Sequence, residues 1–288
     1  MNHYERIQKS IDFIEAHLKD KITLLEVSEK ACFSLYHFFR TFHALTGESP
    51  ADYIRKRRLA SAAFDLLATE NRILDLALDY QFESQEAFTR SFKKEFGVTP
   101  GKFRRDKSGI SFYGKTVLTN KNLQWIQGGK IMDVKYITMP EMLVIGPEIF
   151  TTVEINKKDY AIPKFWEDMN KKNIYNQIPN QKNMNRCFGI CICDEKRPDG
   201  FIYQIALEVT TLDQIPSGMT GRRIAPARYA VFTAKGKAPQ AIWETLDYIY
   251  GKWLPSGHER TNAPDFELYD NRFDGSENSE MDIYIPIQ

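Results

Sequence analysis

The stretch SQEAFTRSFKKEFG, residues 84–97, repeats the stretch SLYHFFRTFHALTG, residues 34–47, at an offset of 50 residues. Serine, phenylalanine, arginine and glycine recur at matched positions, and Pro50 and Pro100 follow in step. In each copy aromatic residues recur at the spacing of one helix face, after a serine suited to an N-cap and before a glycine suited to a helix end. The repeat therefore predicts the same short helix twice.

A shorter helix is predicted before each copy, in TLLEVSEKACF at 23–33 and in RILDLALDYQF at 72–82. A short helix, a tight connection and a longer helix form a helix-turn-helix, whose second helix can enter the major groove of DNA. The connecting stretch 50–70 has one apolar face. As a helix of about 18 residues it would span roughly 27 Å, against about 34 Å for one turn of DNA. We therefore expect an all-α domain over residues 1–107 that places two reading helices on one face of a duplex.

The helix faces opposite the apolar stripes carry the residues expected to meet DNA. The first copy shows Tyr36, Phe39 and Arg40 there, and the second shows Glu86, Thr89 and Arg90. An arginine can bind guanine through two hydrogen bonds, and a glutamate can accept from the amine of cytosine. The basic run RKRR at 55–58 is weaker evidence, because such a run on a connecting helix is usually solvated. Contact of part of it with phosphate is a further expectation.

Residues 3–106 resemble the DNA-binding domain of AraC-type transcription regulators, through VSEKACFSLYHFFRTFHALTGESPADYIRKRRL at 27–59 and LALDYQFESQEAFTRSFKKEFGVTPGKFRR at 76–105. The family usually has glycine in the turn, where this chain has Cys32 and Gln81. Phe39 stands where relatives often have glutamine. The resemblance implies that Tyr36, Phe39 and Arg40 read bases in one groove and that Gln85, Glu86, Thr89 and Arg90 read bases in the next. His37 is a further residue expected to contact DNA.

A linker is expected over residues 108–131, and the texture changes to strands and a few helices over residues 132–288. This half also repeats, because VKYITMPEMLVIGPEIFT at 134–151 matches GRRIAPARYAVFTAKG at 221–236. Trp166–Glu167 likewise matches Trp243–Glu244, and paired strand runs follow each. The predicted fold class is thus multidomain, an all-α double helix-turn-helix domain followed by an α+β domain of two strand-helix-strand-strand repeats. A groove between the repeats would suit a small ligand.

The last strand pair, with FELY at 266–269 and MDIYIPIQ at the end, resembles the GyrI-like effector-binding domain. The resemblance implies that Glu267 lies at the floor of a pocket for cationic, aromatic ligands, with Gly189 as its repeat partner. The expected walls are Trp166, Tyr229, Phe232 and Trp243. Ordinary core packing is the alternative for each aromatic residue, and a solvated carboxylate on an edge strand is the alternative for Glu267.

Composition and charge are those of a folded protein with two domains. Of 288 residues 42% are hydrophobic and 27% charged, with a net charge of +1. Residues 1–125 hold 20 Lys+Arg against 16 Asp+Glu, a net of +4, and the remainder a net of −3. No stretch is long and apolar enough to cross a membrane, and the N-terminus is charged where a signal peptide would be apolar. We therefore expect a cytoplasmic protein.

Three of the four cysteines, in CFGICIC at 187–193, alternate and so share one strand face. Buried, reduced thiols are the first interpretation, and a redox or metal site is the alternative.

Together these features predict a ligand-responsive bacterial transcription regulator without a cofactor or metal. Its expected partners are double-stranded DNA, a small-molecule effector and RNA polymerase, and no membrane is among them. The alternatives make the second half a small-molecule hydrolase or a protein-binding module. The chain lacks a Gly-x-Ser-x-Gly motif, a phosphate-binding loop and paired metal ligands, so we expect no enzyme.

Overall fold

The structure is a computed structural model that describes residues 1–106, 113–118, 132–193, 197 and 200–288. Packing divides it into two compact units. The first is built from residues before about 120 except Ser34–Arg40, and the second from the later residues together with Ser34–Arg40. The predicted linker 108–131 lies outside the described residues apart from 113–118. No helix in the described ranges has the length and apolar character needed to cross a membrane.

The helical part follows the predicted pattern of two helix-turn-helix units joined by one longer helix. Its helices are α1 (His3–Ala16), α2 (Leu24–Lys30), α3 (Leu35–Thr46), α4 (Pro50–Ala68), α5 (Ile73–Asp79), α6 (Gln85–Phe96) and α7 (Pro100–Asp106). The pairs α2–α3 and α5–α6 are the two helix-turn-helix units, and α4 is the helix that connects them. Their existence and order confirm the expectation from the repeat.

Local capping explains where these helices begin and end. Thr23 and Glu26 form a capping box at the start of α2, and the Ser84 hydroxyl accepts from the Ala87 N–H at 3.1 Å at the start of α6. Gly97 ends α6 in the left-handed conformation at φ 76°, which glycine adopts without steric cost. The stripe of phenylalanines on α6 is buried, with Phe88 and Phe92 at 0% exposure.

The turn inside each helix-turn-helix unit needs a left-handed residue, and neither is glycine. Cys32 has φ 54° and Gln81 has φ 64°. A side chain in this region of backbone space costs roughly 1–2 kcal/mol. Gln81 donates from its amide to the Lys19 carbonyl at 2.7 Å, and this contact offsets part of the cost at that position.

The second unit is built on one antiparallel sheet. Its strands are β1 (Val134–Met139), β2 (Met142–Gly146), β3 (Glu148–Thr151), β4 (Cys187–Cys193), β5 (Phe201–Val209), β6 (Thr220–Ile224), β7 (Ala227–Lys235), β8 (Asp265–Tyr269) and β9 (Glu280–Ile287). Its helices are α8 (Val153–Asp159), α9 (Ala161–Lys171) and α10 (Gln240–Tyr248). The strands are paired in the order β1-β7-β9-β8-β4-β5-β2-β6, and β3 pairs with β5.

This order contains the two predicted strand-helix-strand-strand repeats, as β2-α9-β4-β5 and β7-α10-β8-β9. The repeats meet at β4 and β8, which pair at the middle of the sheet. Each repeat is also extended by one strand that precedes the other repeat in sequence. β1, which precedes β2, pairs with β7, and β6, which precedes β7, pairs with β2. The central pair places Gly189 directly opposite Glu267.

Side chains alternate between the two faces of the sheet. One face carries the buried apolar cluster that includes Phe188, Ile190, Phe266 and Leu268. The residues between them in sequence, such as Cys191 on β4, face the other side, where α9 packs through Phe165. Glu267 therefore points to the side on which the helices lie.

Replacing Cys32 with glycine is expected to stabilise the helical unit. Removal of the strain at φ 54° is worth roughly 1–2 kcal/mol, and the extra freedom of glycine in the unfolded chain takes back roughly 0.5–1 kcal/mol. The free energy of unfolding should rise by roughly 0.5–1 kcal/mol. Urea denaturation of the full chain followed by far-ultraviolet circular dichroism measures this. Cys32→Ala keeps the strain, so an equal gain in that control would contradict the account.

Candidate functional site

The Glu267 carboxylate is buried in the second unit and is 9% exposed. It accepts two hydrogen bonds at the same oxygen, Oε2. The Tyr203 hydroxyl donates from β5 at 2.7 Å, and the Tyr269 hydroxyl donates from the same strand as Glu267 at 2.8 Å. Phenol donors to an ionised acceptor are among the stronger hydrogen bonds in proteins.

A third side chain holds the more deeply buried of these phenols. The Trp166 indole N–H on α9 donates to the Tyr203 hydroxyl at 2.9 Å. The Trp166 ring meets the Tyr269 ring edge to face, with centroids 4.8 Å apart, a favoured aromatic geometry. Trp166, Tyr203, Glu267 and Tyr269 therefore form a closed ring of contacts, which we call the Glu267 ring.

Burial and hydrogen bonding act on the charge of Glu267 in opposite directions. Burial raises the pKa of its carboxyl group above the ordinary value, and the hydrogen bonds from Tyr203 and Tyr269 partly lower the pKa again. Burial also raises the pKa of both phenols well above their usual value. Both tyrosines therefore stay protonated and remain donors to the carboxylate.

The ring fits in the sheet because position 189 has no side chain. A Cβ atom on Gly189 would lie 2.0 Å from the Tyr203 hydroxyl oxygen and 2.8 Å from Glu267 Oε2. Both distances are shorter than any real carbon contact, so Tyr203 could not keep its place beside an alanine. The repeat partner of the carboxylate is thus the residue that leaves room for its hydrogen bond.

A cavity of about 700 Å³ opens over this ring. Glu267, Tyr269, Trp166 and Trp243 are among its walls, together with aliphatic side chains such as Ile242. Asn170 and Asn185 also line it and add polar groups. The volume falls in the roughly 300–1,000 Å³ range of small-molecule sites, and an apolar lining with a few polar groups is typical of them.

Of the four predicted aromatic walls, the structure brings two to the cavity. Trp166 and Trp243 line it, and the Trp243 ring also contacts the Tyr160 ring at 5.9 Å. Tyr229 lies instead in the apolar cluster on the opposite face of the sheet, and the Phe232 ring packs against Trp253 at 4.9 Å. Neither of these two lines this cavity, because alternation along β7 and the packing beside it direct them elsewhere.

Two of the predicted one-face cysteines, Cys187 and Cys191, also line the cavity. Burial raises the pKa of the Cys187 thiol to about 12 and raises that of Cys191 as well. These thiols are therefore protonated at neutral pH, a form that neither attacks electrophiles nor binds metals well.

The second predicted DNA-reading helix, α6, presents its predicted residues on one side. Gln85, Glu86 and Arg90 are exposed and Thr89 is half-buried, while the phenylalanines of α6 face the core. The backbone N–H at the helix start and, to a smaller extent, the Ser84 hydroxyl hold the pKa of Glu86 below its usual value. This side of α6 thus combines a guanidinium donor, a hydroxyl, an amide and an ionised carboxylate, the set used to read base edges.

The predicted residues of α3 differ from those of α6. Tyr36 and Phe39 are 5% and 7% exposed, so the expectation that both lie exposed on the helix face is wrong in this structure. His37 is also buried, and the Arg40 Nε donates to the Tyr36 hydroxyl at 2.8 Å. The structure groups Ser34–Arg40 with the second compact unit, which the repeat could not indicate. Their contact with DNA remains a prediction.

The basic run 55–58 is bound to the protein itself. The Arg57 guanidinium pairs with both oxygens of Glu15, at 2.7 and 2.8 Å, and also donates to the Tyr113 carbonyl. Arg58 donates to the Leu18 and Asp20 carbonyls. Arg55 and Lys56 form ion pairs with Asp52 and Glu48 respectively. The run therefore ties α4 to neighbouring parts of the helical unit.

Comparison with known proteins follows this division of the chain. The family profile described as integron-associated effector binding protein matches residues 136–287, and a helix-turn-helix domain profile matches residues 27–106. The chain belongs to the family of integron-associated effector binding proteins. Its helix-turn-helix part is of the AraC type. The predicted AraC-type domain followed by an effector-binding domain is thus confirmed.

Individual relatives are similar over part of the chain. The uncharacterised HTH-type transcriptional regulator YbfP of Bacillus subtilis is 52% identical over 129 residues, 44% of each chain. The regulatory protein SoxS of Salmonella typhimurium is 36% identical over 104 residues, which are 36% of this chain and 97% of SoxS. The chain spans less than half the length of YbfP and of the transcriptional regulator Rob. A Vibrio cholerae integron cassette protein of known structure is 21% identical, with a TM-score of 0.42, covering 54% of this chain and 95% of that one.

Sequence reasoning missed two members of the Glu267 ring, Tyr203 and Tyr269. Tyr269 stands two residues after Glu267, so strand alternation could have placed both on one face. Tyr203 reaches Glu267 through the pairing of β4 with β5 and with β8. The internal repeat identifies Gly189 as the partner of Glu267. That its missing side chain leaves room for the Tyr203 hydroxyl can be seen only from the same strand pairing.

Replacing Arg57 with alanine should destabilise the helical unit. The Arg57 and Glu15 side chains are only 12% and 14% exposed, and removing one partner of a buried pair leaves the other charge uncompensated. We expect the free energy of unfolding to fall by roughly 3 kcal/mol, measured by chemical denaturation. Arg105→Ala is the matched control, because that side chain is 76% exposed. A loss as small as that of the control would contradict a structural role for Arg57.

Proposed function

We propose that this protein binds double-stranded DNA through its helix-turn-helix units and regulates transcription, under control of a small-molecule effector held in the cavity over Glu267. The observation that carries the proposal is the combination in one chain of an exposed reading face on α6 and a ligand-sized cavity with a buried carboxylate at its floor. RNA polymerase is the further partner that such regulation requires.

The DNA-binding part of the proposal rests on the chemistry of α6. Arg90 is exposed, and no ion pair with it is found among the described residues, so its guanidinium is available for a guanine edge or a phosphate. The second predicted reader is α3, with Tyr36, His37, Phe39 and Arg40. The helix α4 between the units has 19 residues, roughly 28 Å in length. That length is comparable to the distance between successive major grooves on one side of a duplex.

The effector part of the proposal rests on the polarity of the cavity. Its walls include the rings of Trp166, Tyr269 and Trp243, and its floor includes the Glu267 carboxylate. An aromatic face attracts a cation through its quadrupole, and a buried carboxylate is stabilised by an opposite charge. We therefore propose an amphipathic organic cation as the effector, with an aromatic or aliphatic body large enough to fill much of the 700 Å³.

Binding rather than catalysis is the role proposed for the second unit. The Glu267 oxygen Oε2 already accepts from two phenols, and burial keeps the cavity thiols protonated. Within the described residues no group of three or more His, Cys, Asp and Glu side chains is placed to hold a metal ion. No observation favours the hydrolase or the protein-binding module over the effector site.

Replacing Arg90 with alanine should weaken binding to specific DNA by about 1–3 kcal/mol and relax the preference at one base pair. Cognate duplexes would first be selected from a random pool with the full chain, and affinities measured at fixed salt. Arg105→Ala removes the same charge outside the reading face and serves as the control. Equal losses on cognate and scrambled duplexes would show that Arg90 contacts phosphate and does not read a base.

Replacing Glu267 with glutamine should separate ligands by charge. Tetraphenylphosphonium and tetraphenylborate share size and shape but carry opposite charges, so they serve as a matched pair of probes. The full chain should bind the cation, and Glu267→Gln should weaken that binding by roughly 2–3 kcal/mol, the Coulomb energy of two unit charges about 6 Å apart at an effective dielectric constant of about 20. Binding of the anion should not weaken. Isothermal titration gives both affinities, and an equal response of the two probes would refute the carboxylate floor.

A further inference from the structure

Tyr203 contacts the Glu267 carboxylate but does not line the cavity. Tyr203 is fully buried, at 0% exposure, and it is not among the residues that line the cavity. Its hydroxyl nevertheless lies between the indole N–H of Trp166 and Glu267 Oε2. Tyr203 therefore supports the floor of the cavity from behind.

We infer that Tyr203, held by Trp166 and given room by Gly189, is the positioning residue that makes the cavity selective for cations. This inference rests on the proposed effector site and adds the residue that sets its selectivity. The Tyr203 hydroxyl fixes Glu267 Oε2 on the protein side. The carboxylate is thereby held in one orientation at the cavity that it lines.

The geometry allows the Tyr203 hydroxyl one arrangement. It accepts from Trp166 and so donates its proton to Glu267, because a hydroxyl has a single proton to give. A donor to the carboxylate favours its ionised form, which is the form that attracts a cation. Tyr269 donates to the same oxygen but also lines the cavity, so a ligand can disturb Tyr269 directly and cannot reach Tyr203.

Gly189 gives this inference a second, independent line of evidence. On β4 it faces Ile205 of β5 and Glu267 of β8, and a Cβ there would occupy the position of the Tyr203 hydroxyl. A methyl group at residue 189 therefore displaces the Tyr203 hydroxyl, and it also crowds Glu267 Oε2, which lies 2.8 Å from the Cβ position. Trp166 supplies the connection to the ligand, because its ring is a cavity wall while its N–H holds the hidden phenol.

The test is Tyr203→Phe in the full chain, a change that deletes one buried oxygen atom and keeps the ring. Affinities for tetraphenylphosphonium and tetraphenylborate would be measured by titration, and the melting temperature by calorimetry. We expect cation binding to weaken roughly tenfold, because loss of a donor to the carboxylate disfavours its ionised form and one pKa unit corresponds to a factor of ten, with anion binding unchanged. A purely structural role would weaken both probes alike, and tighter cation binding would mean that Tyr203 competes with the ligand. Either result overturns the inference.

Tyr229→Phe is the matched control, because Tyr229 is also a buried tyrosine of the same sheet but lies in the opposite apolar cluster. It should leave the affinities for both probes unchanged. Gly189→Ala should weaken cation binding at least as much as Tyr203→Phe does, because its methyl group displaces the Tyr203 hydroxyl and crowds Glu267 Oε2. The two changes together should cost less than the sum of the two single losses, since they remove the same hydrogen bond. Full additivity would contradict the shared mechanism.

Combining Tyr203→Phe with Glu267→Gln distinguishes failure of this inference from failure of the proposed function. If Glu267→Gln alone leaves cation binding intact, the proposed effector site is wrong. If Glu267→Gln abolishes cation preference while Tyr203→Phe resembles the unchanged chain, only the positioning role is wrong. In the Glu267→Gln background, Tyr203→Phe should have no further effect on cation binding, because the group that it positions no longer carries a charge.

Discussion

The buried Glu267 carboxylate, at the central strand pair of the sheet, determines which side chains can surround it. Burying an ion without hydrogen bonds costs several kcal/mol, and a buried charge survives only where the surrounding groups satisfy it. Around Glu267 this requirement is met by Tyr203 and Tyr269, and Tyr203 is in turn satisfied by Trp166. Each residue of the Glu267 ring thus supplies a hydrogen bond that its neighbour needs, and the first of these needs is that of the carboxylate. Because the ring includes a cavity wall, the group that needs stabilising and the surface that would meet a ligand are part of one network.

The helical unit keeps its apolar core and its exposed polar side chains on opposite sides of one helix. On α6 the phenylalanines Phe88 and Phe92 are fully buried, while Arg90 on the opposite side is exposed. The basic side chains of α4 are bound to carbonyls and carboxylates within the unit. The charges that look most suited to phosphate in the sequence therefore stabilise the fold. The α6 side chains Gln85, Glu86 and Arg90 face solvent, so substitutions there leave the buried phenylalanines in place.

How far the sequence predicts this protein depends on how local each signal is. Helix periodicity, caps and the position of Cys32 in the turn are local, so α3, α4, α6 and the left-handed turns were predictable. The position of Glu267 came from resemblance, and Tyr269 follows from alternation along one strand. Tyr203 could not be predicted in the same way, because it reaches the carboxylate through the register of three strands distant in sequence. The positions of Tyr229 and Phe232 could not be predicted for the same reason, since an aromatic residue in a strand can face either side of a sheet. The burial of Tyr36 likewise depends on packing that no local pattern encodes.

The pair formed by Gly189 and Glu267 explains why two similar repeats contain one buried carboxylate at their junction. Residues directly opposite in antiparallel strands have Cβ atoms about 4.5–5.5 Å apart. Carboxylates at both positions would repel each other, and one would bind a proton. A side chain of any kind at position 189 would also occupy the space of the Tyr203 hydroxyl. The lack of a side chain at position 189 in one repeat therefore leaves room in the other repeat for a carboxylate and the phenol that donates to it. The departure from internal symmetry at these two positions is what allows a symmetric scaffold to hold a single charged site.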